Sequence, residues 1–197
     1  GSSLSGSMFS WTPGSNDSGS HTVTFTAIDG NGGSASETIT ITVADTTPPS
    51  VILSSLATVG SSTIDLTTAS RGLVTVTGQA TDNDSLIYID VQFEHEDRSN
   101  QILPQPFMSW TLRLQSGTAR DGVFQGGYEL DKYKNPSGLY RLYHVVARDR
   151  SGNEVSYNRD ALEAAGVSVS FTVNIRPTMS NIGNKSVAEG SSLSFSL

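Results

Sequence analysis

Cysteine is absent from the 197 residues, so no disulfide staples the fold and zinc sites built on thiolates are excluded. No run of 18 apolar residues exists, which leaves no helix to cross a bilayer and argues against membrane insertion. Positive charge is scarce: 12 Lys and Arg stand against 19 Asp and Glu, a net charge of −7. A surface of that sign repels phosphate backbones and anionic headgroups, so nucleic acid is not an expected partner, whereas divalent cations are. Helix formers are few, and only RDALEAAG at 159–166 reads as helical. Common catalytic signatures are missing too: there is no G-x-S-x-G elbow, no P-loop and no thiol nucleophile. The histidines at 21, 95 and 144 fall on separate predicted strands at no metal-ligand spacing. EHEDR at 94–98 places three acids within four residues on a predicted hairpin tip. A solvated face is expected there, with no second acid positioned for a glycosidase pair. No enzyme activity is expected.

What the chain does have is alternation. In TVTFTAID, Val23, Phe25 and Ala27 alternate with threonines, and in TITITV, Ile39, Ile41 and Val43 do the same. A period of two with β-branched residues predicts two half-buried strands, joined here through the Gly-rich turn DGNGG. The same grammar returns 120 residues later. Aligning Asp29 with Asp149 sets Ala27 on Ala147, Phe25 on Val145 and Val23 on Tyr143. Both units then run into a proline-containing linker, ADTTPPS at 44–50 and IRPT at 175–178, which is an internal repeat.

Between the linkers, seven or eight short strands separated by Gly, Ser, Asn and Asp turns predict an antiparallel sandwich. Ile87, Ile89, Val91 and Phe93 form an expected inward face. Trp110, alternating with Leu112 and Leu114, is expected in the core, and Tyr140 at a tyrosine corner. VSVSFTV at 167–173 reads as the last strand. Residues 46–176 are thus one complete β-sandwich, while 1–45 and 177–197 hold too few strands to stand alone.

The phrases FSWTP, DGNGG and IGNKSVAEG carry a resemblance. Residues 1–45 resemble the C-terminal half of the cadherin-like, Ig-type repeats of large bacterial surface proteins. Residues 177–197 resemble the N-terminal strands of the same repeat. His21 stands where those repeats commonly carry tyrosine. The middle unit, through DTTPPSV, ATDND and ARDRSGN, resembles a bacterial Ig-like module. The resemblance implies an all-β array of tandem antiparallel sandwiches with incomplete terminal modules, on a bacterial or archaeal cell surface or outside the cell. It implies a stalk, filament or matrix role. The tail of one copy completing the head of the next by strand addition is the sharper expectation. Ser192, Leu193, Phe195 and Leu197 would meet Ile39, Ile41 and Val43.

In an Ig-like sandwich the B–C and F–G loops share one end, where the chain enters. That brings together Asp45 from the linker, Asp82 and Asp84 from TDNDS, and Asp149 and Asn153 from DRSGN. Carboxylates so gathered repel unless bridged, and Ca²⁺ takes six to eight oxygen ligands from such loops. Ca²⁺ at module junctions is also what the cadherin-like resemblance implies. Asp29 and Asn31 are the matching candidates in the first module and Glu189 in a following one. A rival function is an accessory module of a secreted hydrolase or adhesin that binds a glycan or protein. Its candidate ligand loop is KYKNPSG, led by Tyr133.

Overall fold

A computed structural model describes residues 1–97, 106–176, 186–192 and Ser194. The elements in chain order are β1 (Ser2–Ser5), β2 (Met8–Trp11), β3 (Gly19–Ile28), β4 (Ser34–Val43), β5 (Ser50–Val59), β6 (Thr63–Asp65) and β7 (Arg71–Thr81). There follow β8 (Leu86–His95), β9 (Phe107–Gly117), β10 (Asp121–Asp131), β11 (Gly138–Asp149), β12 (Glu154–Tyr157), α1 (Arg159–Ala164) and β13 (Ser170–Asn174). The chain is all-β with an Ig-like antiparallel sandwich at its centre.

The first unit is two hairpins. β3 and β4 pair antiparallel with His21 opposite Ile41 and Val23 opposite Ile39. Period-two alternation puts a hydroxyl ladder on one face, with Thr24 bonded to Thr38 and Thr26 to Ser36, each at 2.8 Å. The apolar face meets β2, where Phe9 stands edge-on to Phe25 and Trp11 edge-on to His21. Cover is partial: no residue before Pro49 is fully buried.

The middle unit has two layers. β5, β7, β10 and the second half of β9 form one; the first half of β9 with β8, β11, β13 and β6 forms the other, and β12 pairs with the free half of β11. β9 changes layers mid-strand, pairing with β8 through Leu112 and with β10 from Arg113. β5 and β6 make the second crossing, turning at Gly60, whose φ of 83° suits glycine. β6 runs parallel to β13, the one parallel pair among the described residues. Val74, Val76, Ile89, Val91, Phe93, Leu112, Phe124 and Phe171 fill the space between the layers. Phe93 stacks on Trp110 and Phe171 on Tyr140. The Tyr140 hydroxyl donates to the Pro136 carbonyl at 3.1 Å, the expected corner.

Several expectations need correction. Leu86 is buried and Ile87 41% exposed, because a bulge where β8 meets Arg148 and Asp149 shifts the alternation. Leu114 is exposed since it lies past the point where β9 changes layers. A second irregularity between Leu142 and His144 turns Tyr143 off the inward row that Val145 and Ala147 continue. The last strand is broken: β12 pairs with one half of β11 and β13 with the other, with α1 between them. Asn158 caps α1 by accepting from the Ala161 N–H at 3.0 Å. That helix also overturns the solvated reading of EHEDR at its start, while Glu96 and Asp97 are exposed as expected. Glu94 and His95 are buried. Glu94 pairs with Arg159 of α1, and His95 donates from Nε2 to the Ser137 carbonyl while its Nδ1 accepts from Asp97 N–H.

Candidate cation site at the module junction

Three turns meet where β4 gives way to β5. The first is the linker after Val43, where Asp45 turns its Oδ1 back to accept from the Thr47 N–H. The second follows β7, where Asp82 Oδ1 accepts from the Asp84 N–H at 2.9 Å. The third follows β11, where Asp149 Oδ1 accepts from the Asn153 N–H at 2.8 Å. The first two are Asx-turns and the third closes a longer turn on the same aspartate oxygen, which explains locally why aspartate begins each. The layers then bring the turns together. Arg150 N–H donates to the Ser85 carbonyl, tying the third turn to the second, and Asn153 Nδ2 donates to the Asp45 carbonyl, tying it to the first.

The result is one carboxylate oxygen each from Asp45, Asp82 and Asp149 within 4.8 Å of one another. Asp149 is buried, with 1% of its surface exposed, and the other two are half-buried. Burial pushes the Asp82 carboxyl above its ordinary value, and the charges of Asp149 and Asp45 add to the shift. Asp45 Oδ2, Asp82 Oδ2 and Asn83 Oδ1 are buried and have no hydrogen-bond partner among the described residues. Ca²⁺ holds oxygens at about 2.4 Å, so ligands across the ion stand roughly 4.8 Å apart. The three oxygens fit one such shell, and the orphaned oxygens add acceptors beside it. A cleft of about 330 Å³ opens alongside, lined by Ser18, Gly19, Val43, Ala44, Asp45, Asp84 and Ser151.

Of the residues expected at this pole, Asp45, Asp82 and Asp149 come together. Asp84 stands aside, its carboxylate 3.9 Å from the Arg120 guanidinium. Asn153 holds both oxygens of Asp149 through its N–H and its amide and is a support of the site. Asn83 was not among the expected residues. Its Nδ2 donates to Asp45 Oδ1 at 2.9 Å and to the Ser15 carbonyl at 2.6 Å. Only its place between two aspartates in TDNDS hints at a role.

The repeat shows at the level of single bonds. Asp29 N–H donates to the Gly33 carbonyl as Asp149 N–H does to that of Asn153, and each aspartate Oδ1 accepts from the residue four on. Asn31 adds its N–H to Asp29 Oδ1, and this turn is exposed. Glu189 and Ser192 are exposed, while Leu193, Phe195 and Leu197 lie outside the described residues. On β4, Ile39 is exposed, and Ile41 and Val43 are half-buried. Tyr133 is 79% exposed at the opposite pole with the Lys132 ammonium 5.0 Å from its ring centre.

Residues 1–42 match the family model of a bacterial Ig domain. The match spans β1 to β4 and stops short of Asp45. No curated protein matches the chain.

Proposed function

We propose that this chain is a non-enzymatic stretch of an extracellular repeat protein on a bacterial or archaeal cell surface, and that Ca²⁺ at Asp45, Asp82 and Asp149 sets the junction between its first two units. The observation that carries the reading is the mutual approach of those three oxygens, drawn from a linker and two loops far apart in sequence. The bacterial Ig match to residues 1–42 supports the surface-module part of it. A bound Ca²⁺ supplies two positive charges against three carboxylates and so removes their repulsion. Asp45 belongs to the linker itself, so the ion fixes the linker to the sandwich. Pro48 and Pro49 restrict the remaining backbone freedom. The module string then acts as a spacer or filament with set angles.

The test is small-angle X-ray scattering with light scattering, in millimolar Ca²⁺ and then in EDTA. A monomer that lengthens or stiffens with Ca²⁺ supports the metal-set junction. Identical profiles in both buffers, with no heat of Ca²⁺ binding, overturn it.

A second reading is favoured by the partly covered apolar face of β3 and β4. It is head-to-tail association in which the 192–197 segment of another copy adds as a strand to the edge at Ile39, Ile41 and Val43. Its alternating Leu193, Phe195 and Leu197 supply the apolar complement. Light scattering that finds only monomer at high concentration removes this reading and leaves the junction untouched.

A further inference from the structure

We infer that Asn83 couples the cation site to the preceding unit, tightening its hold on the turn at Gly14–Ser18 when the ion binds. This rests on the junction reading above. The Asn83 amide spends both protons across the junction, one on the Asp45 carboxylate and one on the Ser15 carbonyl. Both partners are acceptors only, so chemistry fixes which end of the amide faces them. Its Oδ1 is meanwhile buried without a partner among the described residues.

Without an ion, Asn83 shields Asp45 and holds Ser15 at once. A divalent cation has Asp45 Oδ2 free to bind, so the Asn83 bond to Asp45 Oδ1 stays in place. The same cation attracts the orphaned Oδ1 of Asn83, which is a neutral oxygen ligand of the kind Ca²⁺ accepts. An amide drawn on at its oxygen is a stronger donor at its nitrogen, so its bond to the Ser15 carbonyl strengthens.

Beyond Ser15 the contacts are continuous. Gly14 N–H donates to Asp17 Oδ2, and Asp17 N–H donates to the Gly14 carbonyl, which closes the turn. The Asp17 carbonyl accepts from His21 Nε2–H at 2.7 Å, and the His21 ring stands edge-on to Trp11 at 4.9 Å. Linked hydrogen bonds and ring contacts of this kind carry coupling between sites. The Trp11 indole thus reports how firmly the turn is held.

The experiment is a Ca²⁺ titration of the ¹⁵N-labelled chain, following the Trp11 indole N–H and the backbone amides of Gly14 and Asp17, with affinity measured in parallel by calorimetry. Trp11→Phe assigns the Trp11 signal against that of Trp110. In the wild-type chain the three signals are expected to shift together with calcium occupancy. Asn83→Asp gains a carboxylate and loses its donor, so it is expected to bind Ca²⁺ at least as tightly with the Trp11 response lost. Asn83→Ala is expected to lose the response while affinity falls about tenfold or more, since one neutral oxygen beside the carboxylates is removed. A full Trp11 response in both variants overturns the coupling role, as does wild-type binding that leaves Trp11 and the turn unmoved. The junction reading survives either of these results. Absence of Ca²⁺ binding to the wild type overturns both.

Discussion

Asp82 is the residue whose chemistry is most exposed to test. Its carboxyl is raised from the ordinary 3.8, so without metal the folded chain holds that proton more tightly than the unfolded chain. Stability in EDTA therefore falls as pH rises from the ordinary carboxylate value through the raised one. Ca²⁺ needs the ionised form, so its contribution appears over the same window, reaching about 2.7 kcal/mol when free Ca²⁺ is a hundredfold above its dissociation constant. Thermal melts of Asp82→Asn are expected to lose the pH step in EDTA and the gain from Ca²⁺, with no loss of stability in EDTA at neutral pH. Tyr140→Phe tests a different residue: it strips the donor from the Pro136 carbonyl at a buried corner, and urea unfolding is expected to show a loss of about 1–3 kcal/mol. An unchanged midpoint would mean the corner bond contributes nothing. At this scale the aspartates were legible in the sequence because turn chemistry favours them and sandwich topology orders the loops. Asn83 was not, since an amide between two aspartates looks like any other turn residue until its partner in another unit is known.

Among the elements, β9 joins the layers and its partner β10 approaches it closely. A Cβ at Gly126 would sit 2.3 Å from the Thr111 carbonyl oxygen, and the Gly126 carbonyl also accepts from the Trp110 indole. Gly126→Ala is therefore expected to force β9 and β10 apart, costing about 1–3 kcal/mol. Denaturant unfolding would read that cost, and Trp110 fluorescence would report the local opening. Wild-type values for both would show that the strands give way freely. Alternation in the sequence identified most strands, yet it misplaced Ile87 and Leu114. Each lies at or just past a bulge or layer change. Period-two reasoning assumes an unbroken ladder, and one extra residue inverts every side chain beyond it. α1 was recognised as helical, but its pairing with Glu94 spans 65 residues of sequence and left no local trace.

For the whole molecule the two units are unequal. The sandwich has a full core, whereas β1 to β4 bury no side chain completely. Opening free energies should follow that division. Amide hydrogen exchange is expected to be fast across β3 and β4 and slowest in β8 and β11, and equal protection in both units would contradict the partial cover of the first.

The parallel pairing of β6 with β13 has a mechanical consequence. β6 continues from the linker side of the sandwich, and β13 leads out at the far pole. Tension on the two connections pulls these strands in opposite senses along their common axis. The bonds between them, Leu66 N–H to the Asn174 carbonyl and Thr172 N–H to the Ser62 carbonyl among them, are loaded in shear and must yield together. A hairpin pulled open from one end would yield bond by bond. The short β6, only three residues long, is placed to be the latch of the unit under load.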